Sequence, residues 1–249
     1  MAVRILLRGE HFAILEKAAG IPCHASDYCR DFKGKPLLQR GRDALGERIN
    51  LVHRLDRGAS GCVVVASAEH PTATDDLRRA MVLGRKTYIA VVRGAGIIAE
   101  EHLSDRRWFT VDRPVKDRSK KERSATTHFR WIGSNPADPR GSIVLCRPEQ
   151  GRWHQIRRHL NGLGQPIIGD AVHGSNKENR LWIEKYGMGR GRLCLHLAQV
   201  DIPATASTPK IRVNCPLPSE MESMLRAHMP GALSQAAPRL LEEAVELCL

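Results

Sequence analysis

The apolar residues of this chain arrive in short runs, such as Cys62-Val63-Val64-Val65-Ala66 and Ile89-Ala90-Val91-Val92, bounded by small or polar residues. Runs of this length fit buried β-strands and fall far below the ~20 residues that a helix needs to cross a bilayer. A sheet core and no membrane-spanning segment are therefore expected. Ile5-Leu6-Leu7 and Phe12-Ala13-Ile14-Leu15, separated by Arg8-Gly9-Glu10, predict strand, turn and strand near the start. Lys86 to Gly94 reads as another strand, Thr126 to Ile132 with Ser142 to Cys146 as a hairpin, and Leu193 to Val200 and Lys210 to Val213 as late strands.

Helical patterns are fewer. Thr72 to Leu83 places Leu77, Ala80 and Met81 on one face, and His154 to Leu163 is stopped by Gly164 and Pro166. Ser219 to Met229 and Ala236 to Leu249 complete the set. Asp27 to Gly46 predicts a surface loop or short helices, and the basic stretch Asp112 to Arg123 an exposed loop. Many strands joined by hairpin-length loops, with few helices between them, predict an α+β fold with a largely antiparallel mixed sheet, flanked by helices and loops. There is no internal repeat or low-complexity tract, and 249 residues allow one large domain or two lobes.

Lys and Arg number 39 against 27 Asp and Glu, a formal charge of +12 and a pI near 9.8. Such an excess steers polyanions and displaces counterions from phosphate backbones, so nucleic acid is the partner class that the charge favours. The seven cysteines are scattered, with no Cys-x-x-Cys pair and no matched histidine spacing, so buried thiols are expected and no metal site. Met1 to Glu10 has too short an apolar stretch and too early an acid for a secretory signal, and a cytoplasmic location is expected.

Two stretches could carry chemistry. His53-Arg54-Leu55-Asp56-Arg57-Gly58-Ala59-Ser60-Gly61 crowds an acid, bases and glycines just before a buried strand. It reads either as a charged turn whose glycines supply unusual backbone angles, or as a polar site on a loop held by rigid core. Gly151-Arg152-Trp153-His154-Gln155-Ile156-Arg157-Arg158-His159-Leu160 reads either as a solvated basic helix or as a site on which His154 and Arg158 share a face. A carboxylate flanked by cations has its pKa lowered by ~1 to 3 units, stays ionised and can act as nucleophile or base.

These residues also carry a family resemblance. The chain resembles the RluA-type pseudouridine synthases, whose His-Arg-Leu-Asp-x-x-Thr-Ser-Gly signature stands here as His53 to Gly61. The family's Gly-Arg-x-His-Gln-Ile-Arg-x-His-Leu stretch corresponds to Gly151 to Leu160 and its Lys-x-Tyr-x-Ala strand to Lys86 to Ala90. Phe12 to His24 and Arg192 to Ala198 match as well, so the resemblance covers most of residues 4–215. Ile167-Ile168-Gly169-Asp170, continuing through His173-Gly174 to Asn179-Arg180, resembles most a branch of the family directed at transfer RNA, although ribosomal RNA enzymes share the core motifs.

The resemblance implies the pseudouridine synthase fold, a sheet in two abutting halves over residues 1–230, then a helical tail at 231–249, without the N-terminal accessory RNA-binding domain of some relatives. It implies isomerisation of a uridine in RNA, with transfer RNA preferred and ribosomal RNA as the alternative. No metal and no cofactor are implied, no membrane, no obligate protein partner, and a monomer. Asp56 resembles the catalytic aspartate, which attacks the uracil ring or assists glycosidic cleavage so that the base rotates and reattaches through carbon. Arg157 resembles the arginine that pairs with it, and Tyr88 the tyrosine that packs on the uracil. Arg54 resembles the arginine that fills the space of the flipped uridine. His53, Arg57 and His154 join it as expected RNA contacts. Lys116, Lys120 and Lys121, with Arg118 and Arg123, form a basic run that is either solvated or in contact with RNA. Ala59 departs from the family's Thr and removes a hydroxyl, Lys17-Ala18 replaces Lys-Pro, and Leu197 replaces Ala. Two other classes stand beside this reading: a non-catalytic RNA-binding or ribosome-assembly protein, which Ala59 favours, and a hydrolase using His53, Asp56 and His154.

Overall fold

The computed structural model describes residues 2–26, 29–98, 101–102 and 108–243. The chain forms two compact units, Met1–Lys86 with Leu197–Pro216, and Thr87–His196 with Leu217–Leu249. In the first unit β1 (Arg4–Arg8), β2 (Phe12–Lys17) and β4 (Ser60–Ser67) lie antiparallel in that order, and β3 (Ile49–Leu51) also pairs with β4. β13 (Leu195–Ile202), which belongs to this unit from Leu197 on, pairs antiparallel with β14 (Ile211–Asn214). Every residue of β4 is buried, which is why its sequence is an unbroken apolar run and not an alternation. Its second residue, Gly61, has φ +121°, and a Cβ there would stand 2.3 Å from the Leu197 carbonyl oxygen. Only glycine permits that approach. Helix α1 (Leu37–Leu45) buries Leu37, Gly41 and Leu45, and α2 (Pro71–Leu83) buries the face predicted from Leu77, Ala80 and Met81.

In the second unit β5 (Arg85–Arg93, from Thr87 on), β12 (Gly141–Pro148), β11 (Thr126–Asn135) and β8 (Phe109–Asp112) form an antiparallel ladder in that order. Two short hairpins accompany it, β6 (Ile97–Ile98) with β7 (Glu101–His102) and β9 (Val115–Lys116) with β10 (Glu122–Arg123). Its helices are α3 (Gln155–Gly162), α4 (Asn176–Tyr186), α5 (Ser219–His228) and α6 (Pro230–Glu242). The fold is thus α+β with a mainly antiparallel sheet, as the sequence pattern predicts. No described helix is long and apolar enough to cross a membrane.

Three local expectations need correction. Asp112 to Arg123 is a hairpin and not an open loop, because Asp117 folds it from within: its Oδ1 accepts from the Ser119 and Lys121 N–H groups and the Ser119 hydroxyl, and its Oδ2 from Arg123. The last helix starts at Pro230, six residues before Ala236, since Ala232 and Leu233 already pack inward and Gly133 of β11 leaves no room for a Cβ beside the Ala232 carbonyl. Leu240 is buried but Leu241 is 70% exposed, while residues 244–249 lie outside the described set. Helix α4 was not expected at all, although Ser175-x-x-Glu178 is a capping-box signal, and the Ser175 hydroxyl accepts from the Glu178 N–H. Among the described residues no disulfide forms, and Cys23, Cys62, Cys146, Cys194 and Cys215 are buried; Cys248 is outside them.

Candidate active site

Asp56 sits in the loop between β3 and β4, and neighbouring side chains grip that loop by its main chain. Lys17, fully buried at the end of β2, donates from Nζ to the carbonyls of Ala18 (3.1 Å), Arg57 (3.0 Å) and Ala59 (2.5 Å). A buried ammonium is tolerated here because its three protons meet three carbonyl oxygens. Cys23 braces the other side, its thiol donating to the Leu55 carbonyl at 3.4 Å and accepting from the Leu55 N–H at 3.3 Å. Burial pushes the Cys23 thiol pKa up, so the sulfur keeps the proton that it donates. The Ala59 N–H closes a turn onto the Asp56 carbonyl at 3.1 Å. The missing hydroxyl at position 59 is therefore not needed to hold the loop.

The flanking residues divide by role. His53 Nε2 accepts from the Val64 N–H at 3.1 Å, and burial together with the nearby Lys86 charge lowers its pKa to about 4. A neutral ring with one nitrogen already filled braces the loop and brings no positive charge to an RNA. Arg57 donates from Nε to the Gly20 carbonyl and from Nη1 to both Asp31 carboxylate oxygens at 2.8 Å. Arg54 is exposed, and Asp56 is partly exposed.

Tyr88 lies on β5, paired with Cys146 of β12, and is partly exposed. Arg157, on α3, is buried in a bidentate pair that the sequence reading did not single out: Nε to Asp170 Oδ2 and Nη2 to Asp170 Oδ1, each at 2.8 Å. Asp170 Oδ1 also accepts from the N–H groups of Val172 and His173. Burial raises the Asp170 pKa, but the Arg157 and backbone donors outweigh it and hold the carboxyl below its ordinary value. Gly169 is the device that presents Asp170: its φ is +85°, and a Cβ would fall 1.9 Å from the Arg192 carbonyl oxygen. An aspartate two residues into the Ile168-Gly169-Asp170 turn was the available signal.

Helix α3 is locked to β11 by a chain of hydrogen bonds. Gln155 Nε2 donates to the Thr127 hydroxyl (3.0 Å), Thr127 Oγ1 meets His159 Nδ1 (2.9 Å), and His159 Nε2 meets the Arg113 carbonyl (2.9 Å). A carbonyl only accepts, so Nε2 carries the proton, and the Thr127 hydroxyl donates to Nδ1. Burial lowers the His159 pKa, consistent with that neutral tautomer. His154 precedes the helix with φ +54°, an uncommon backbone for a non-glycine residue, and its Nδ1 lies 2.9 Å from His173 Nε2. The Trp153 ring, which the sequence reading passed over, stacks against His154 at 4.4 Å and carries the Arg158 guanidinium 4.5 Å from its centre.

Of the basic run, Lys116, Lys120 and Lys121 are exposed on the β9–β10 hairpin, whereas Arg123 is held by Asp117. Ser119 foremost, with Arg123 and the backbone donors, lowers the Asp117 pKa to about 2. Among the described residues no three His, Cys, Asp or Glu side chains converge as a metal site.

Comparison with known proteins decides between the readings. The model of the RNA pseudouridylate synthase family matches residues 11–162. The chain belongs to that family. It is 31% identical over 210 residues to tRNA pseudouridine synthase C of Yersinia pestis, covering 80% of each chain. It is 30% identical over 235 residues to the uncharacterized RNA pseudouridine synthase YhcT of Bacillus subtilis, covering 90% of this chain and 72% of that one. Among solved structures, human RNA pseudouridylate synthase domain containing 4 superposes with a TM-score of 0.66 at 22% identity, over 89% of this chain and 91% of that one, a likeness of fold. The match includes both the Asp56 loop and all of α3. This pseudouridine synthase is an isomerase, and its substrate is RNA.

Proposed function

We propose that the enzyme converts a uridine of transfer RNA to pseudouridine, with Asp56 as the catalytic carboxylate, Tyr88 packed on the uracil and Arg157 as the arginine of the catalytic set. The observation that carries this reading is the support of the Asp56 loop: Lys17 and Cys23 fix its backbone on both sides of the aspartate. In the reaction the bond between N1 and the ribose C1′ breaks, the uracil turns, C5 bonds to C1′, and the proton lost from C5 is balanced by one taken up at N1. Asp56 acts on the ring or at the glycosidic bond to open that sequence. Arg54, exposed beside the aspartate, is suited to stack in the space vacated by a flipped nucleotide. His154, Arg57 and the hairpin lysines Lys116, Lys120 and Lys121 border the RNA in this reading, His53 supports the loop, and no cofactor enters. The relatives named as tRNA pseudouridine synthase C support transfer RNA as substrate. Residues 1–230 act as the catalytic domain of a cytoplasmic monomer.

The test is purified protein incubated with unmodified transfer RNA and ribosomal RNA, followed by carbodiimide treatment and primer extension. A single stop in transfer RNA, absent with Asp56→Ala, is the expected result. A stop in ribosomal RNA alone would overturn the substrate assignment, and turnover by pure Asp56→Ala protein would overturn the catalytic one.

A further inference from the structure

The second unit carries a groove that the uridine chemistry does not use. It has a volume of about 270 Å³ and lies between Arg113-Pro114-Val115-Lys116, the chain leaving β8, and α3 at Arg158 and Gly162. Three cations line it, and among the described residues no carboxylate does. The nearby acids are engaged elsewhere, Asp112 with the Thr126 hydroxyl and Asp117 with Arg123.

The cations are placed differently from a solvated basic face. Arg158 is held on both sides, its guanidinium over the Trp153 ring at 4.5 Å and its Nη1 donating to the Lys116 carbonyl. Arg113 has its backbone fixed by the His159 ring, while its Nη1 stands 4.0 Å from where a side chain on Gly162 would begin. Neither Arg113 nor Lys116 has a side-chain hydrogen bond or ion pair among the described residues. The last carbonyls of α3, which would repel an anion, are taken by the N–H groups of Leu163, Gly164 and Gln165. Pro114 and Val115 supply an apolar wall.

We propose that this groove seats a backbone phosphate of the substrate RNA together with its ribose, the phosphate between Arg113, Lys116 and Arg158 and the sugar against Pro114 and Val115. The inference rests on the reading of the chain as an RNA-modifying enzyme and adds where the polyanion is held. A strand suits the site better than a free anion, because the positive charge continues beyond the groove to the exposed Lys120 and Lys121.

The experiment measures binding of a fluorescein-labelled, unmodified transfer RNA transcript over a range of chloride concentrations, alongside pseudouridine formation at saturating transcript. Arg113→Gln and Lys116→Gln are each expected to raise Kd by about 5- to 10-fold and to reduce the slope of log K against log salt by about one. In Arg113→Gln the rate at saturating transcript should stay within about twofold of wild type. Lys177→Gln, an equal loss of charge on α4, should change neither quantity. Unchanged Kd and slope in both groove variants, with melting temperatures as in wild type, would overturn the proposal. Low concentrations of inorganic phosphate that displace the transcript from wild type but not from Arg113→Gln would assign the groove to a free anion and overturn it too. Wild-type protein that binds the transcript but forms no pseudouridine would overturn the functional reading alone, since the groove variants would still lose salt dependence.

Discussion

The Asp56 loop and the Arg157 helix are both held firmly, by opposite means. In the loop the supports grip the main chain: Lys17 collects carbonyls, Cys23 spans Leu55, and the His53 ring caps an amide of β4. In the helix the grip is on the side chain itself, since Asp170 takes two of the Arg157 nitrogens and completes its own oxygens with backbone donors. A group that must form and break bonds is best carried on a rigid backbone. A group that supplies only charge and direction is best immobilised to the tip. The two architectures match the reacting role proposed for Asp56 and the orienting one proposed for Arg157.

Four substitutions would break or sharpen that contrast. Asp56→Ala removes the reacting group and should cut pseudouridine formation by at least ~1000-fold while RNA binding persists, measured by single-turnover assay and anisotropy. Asp170→Asn removes the bidentate carboxylate from the buried Arg157 guanidinium and should destabilise the fold by ~3–5 kcal/mol in urea titration. The variant should also lose acid sensitivity: the depressed Asp170 pKa contributes stability above the ordinary carboxylate range, and that contribution disappears as pH falls through it. Lys17→Met deprives carbonyls of the loop of their donor, at ~1–3 kcal/mol for each that stays buried, and should lower kcat more than it alters the Kd for RNA. A change in Kd alone would place Lys17 outside loop support.

The smallest effect at neutral pH is expected from His53→Gln, which keeps an acceptor for the Val64 amide. Its value lies in the pH profile. With a folded pKa of about 4 against an ordinary 6.5, the unfolded chain binds a proton that the folded chain refuses. Stability from this group is complete above the unfolded value and falls as pH drops from there towards the folded one, by up to ~3 kcal/mol. Denaturation of His53→Gln across that window should lack this part of the decline.

What the sequence disclosed follows from how local each cause is. The buried run of β4 and the apolar face of α2 repeat at their own periods, so both were legible. The Asp56 and Arg157 motifs were legible as strings, and the string pointed to a site before any geometry did. Their supports were not. Nothing near Lys17 in the chain says that its ammonium will lie against residues forty positions later, and Cys23 looked like one buried thiol among seven. Asp170 stood within a quoted motif, yet its partnership with Arg157 depends on how Gly169 turns the chain at the Arg192 carbonyl. His53 stands in the motif as an expected RNA contact; the Val64 N–H on its ring nitrogen, which a string cannot express, also makes it a brace.

The β9–β10 hairpin differs from all of these in being self-contained. Asp117 writes its turn from residues within six positions of itself, and the bond from Arg158 to the Lys116 carbonyl ties it to α3. A segment organised so locally is a unit to itself: a change at its lysine-bearing tip leaves the bonds that fold its turn in place.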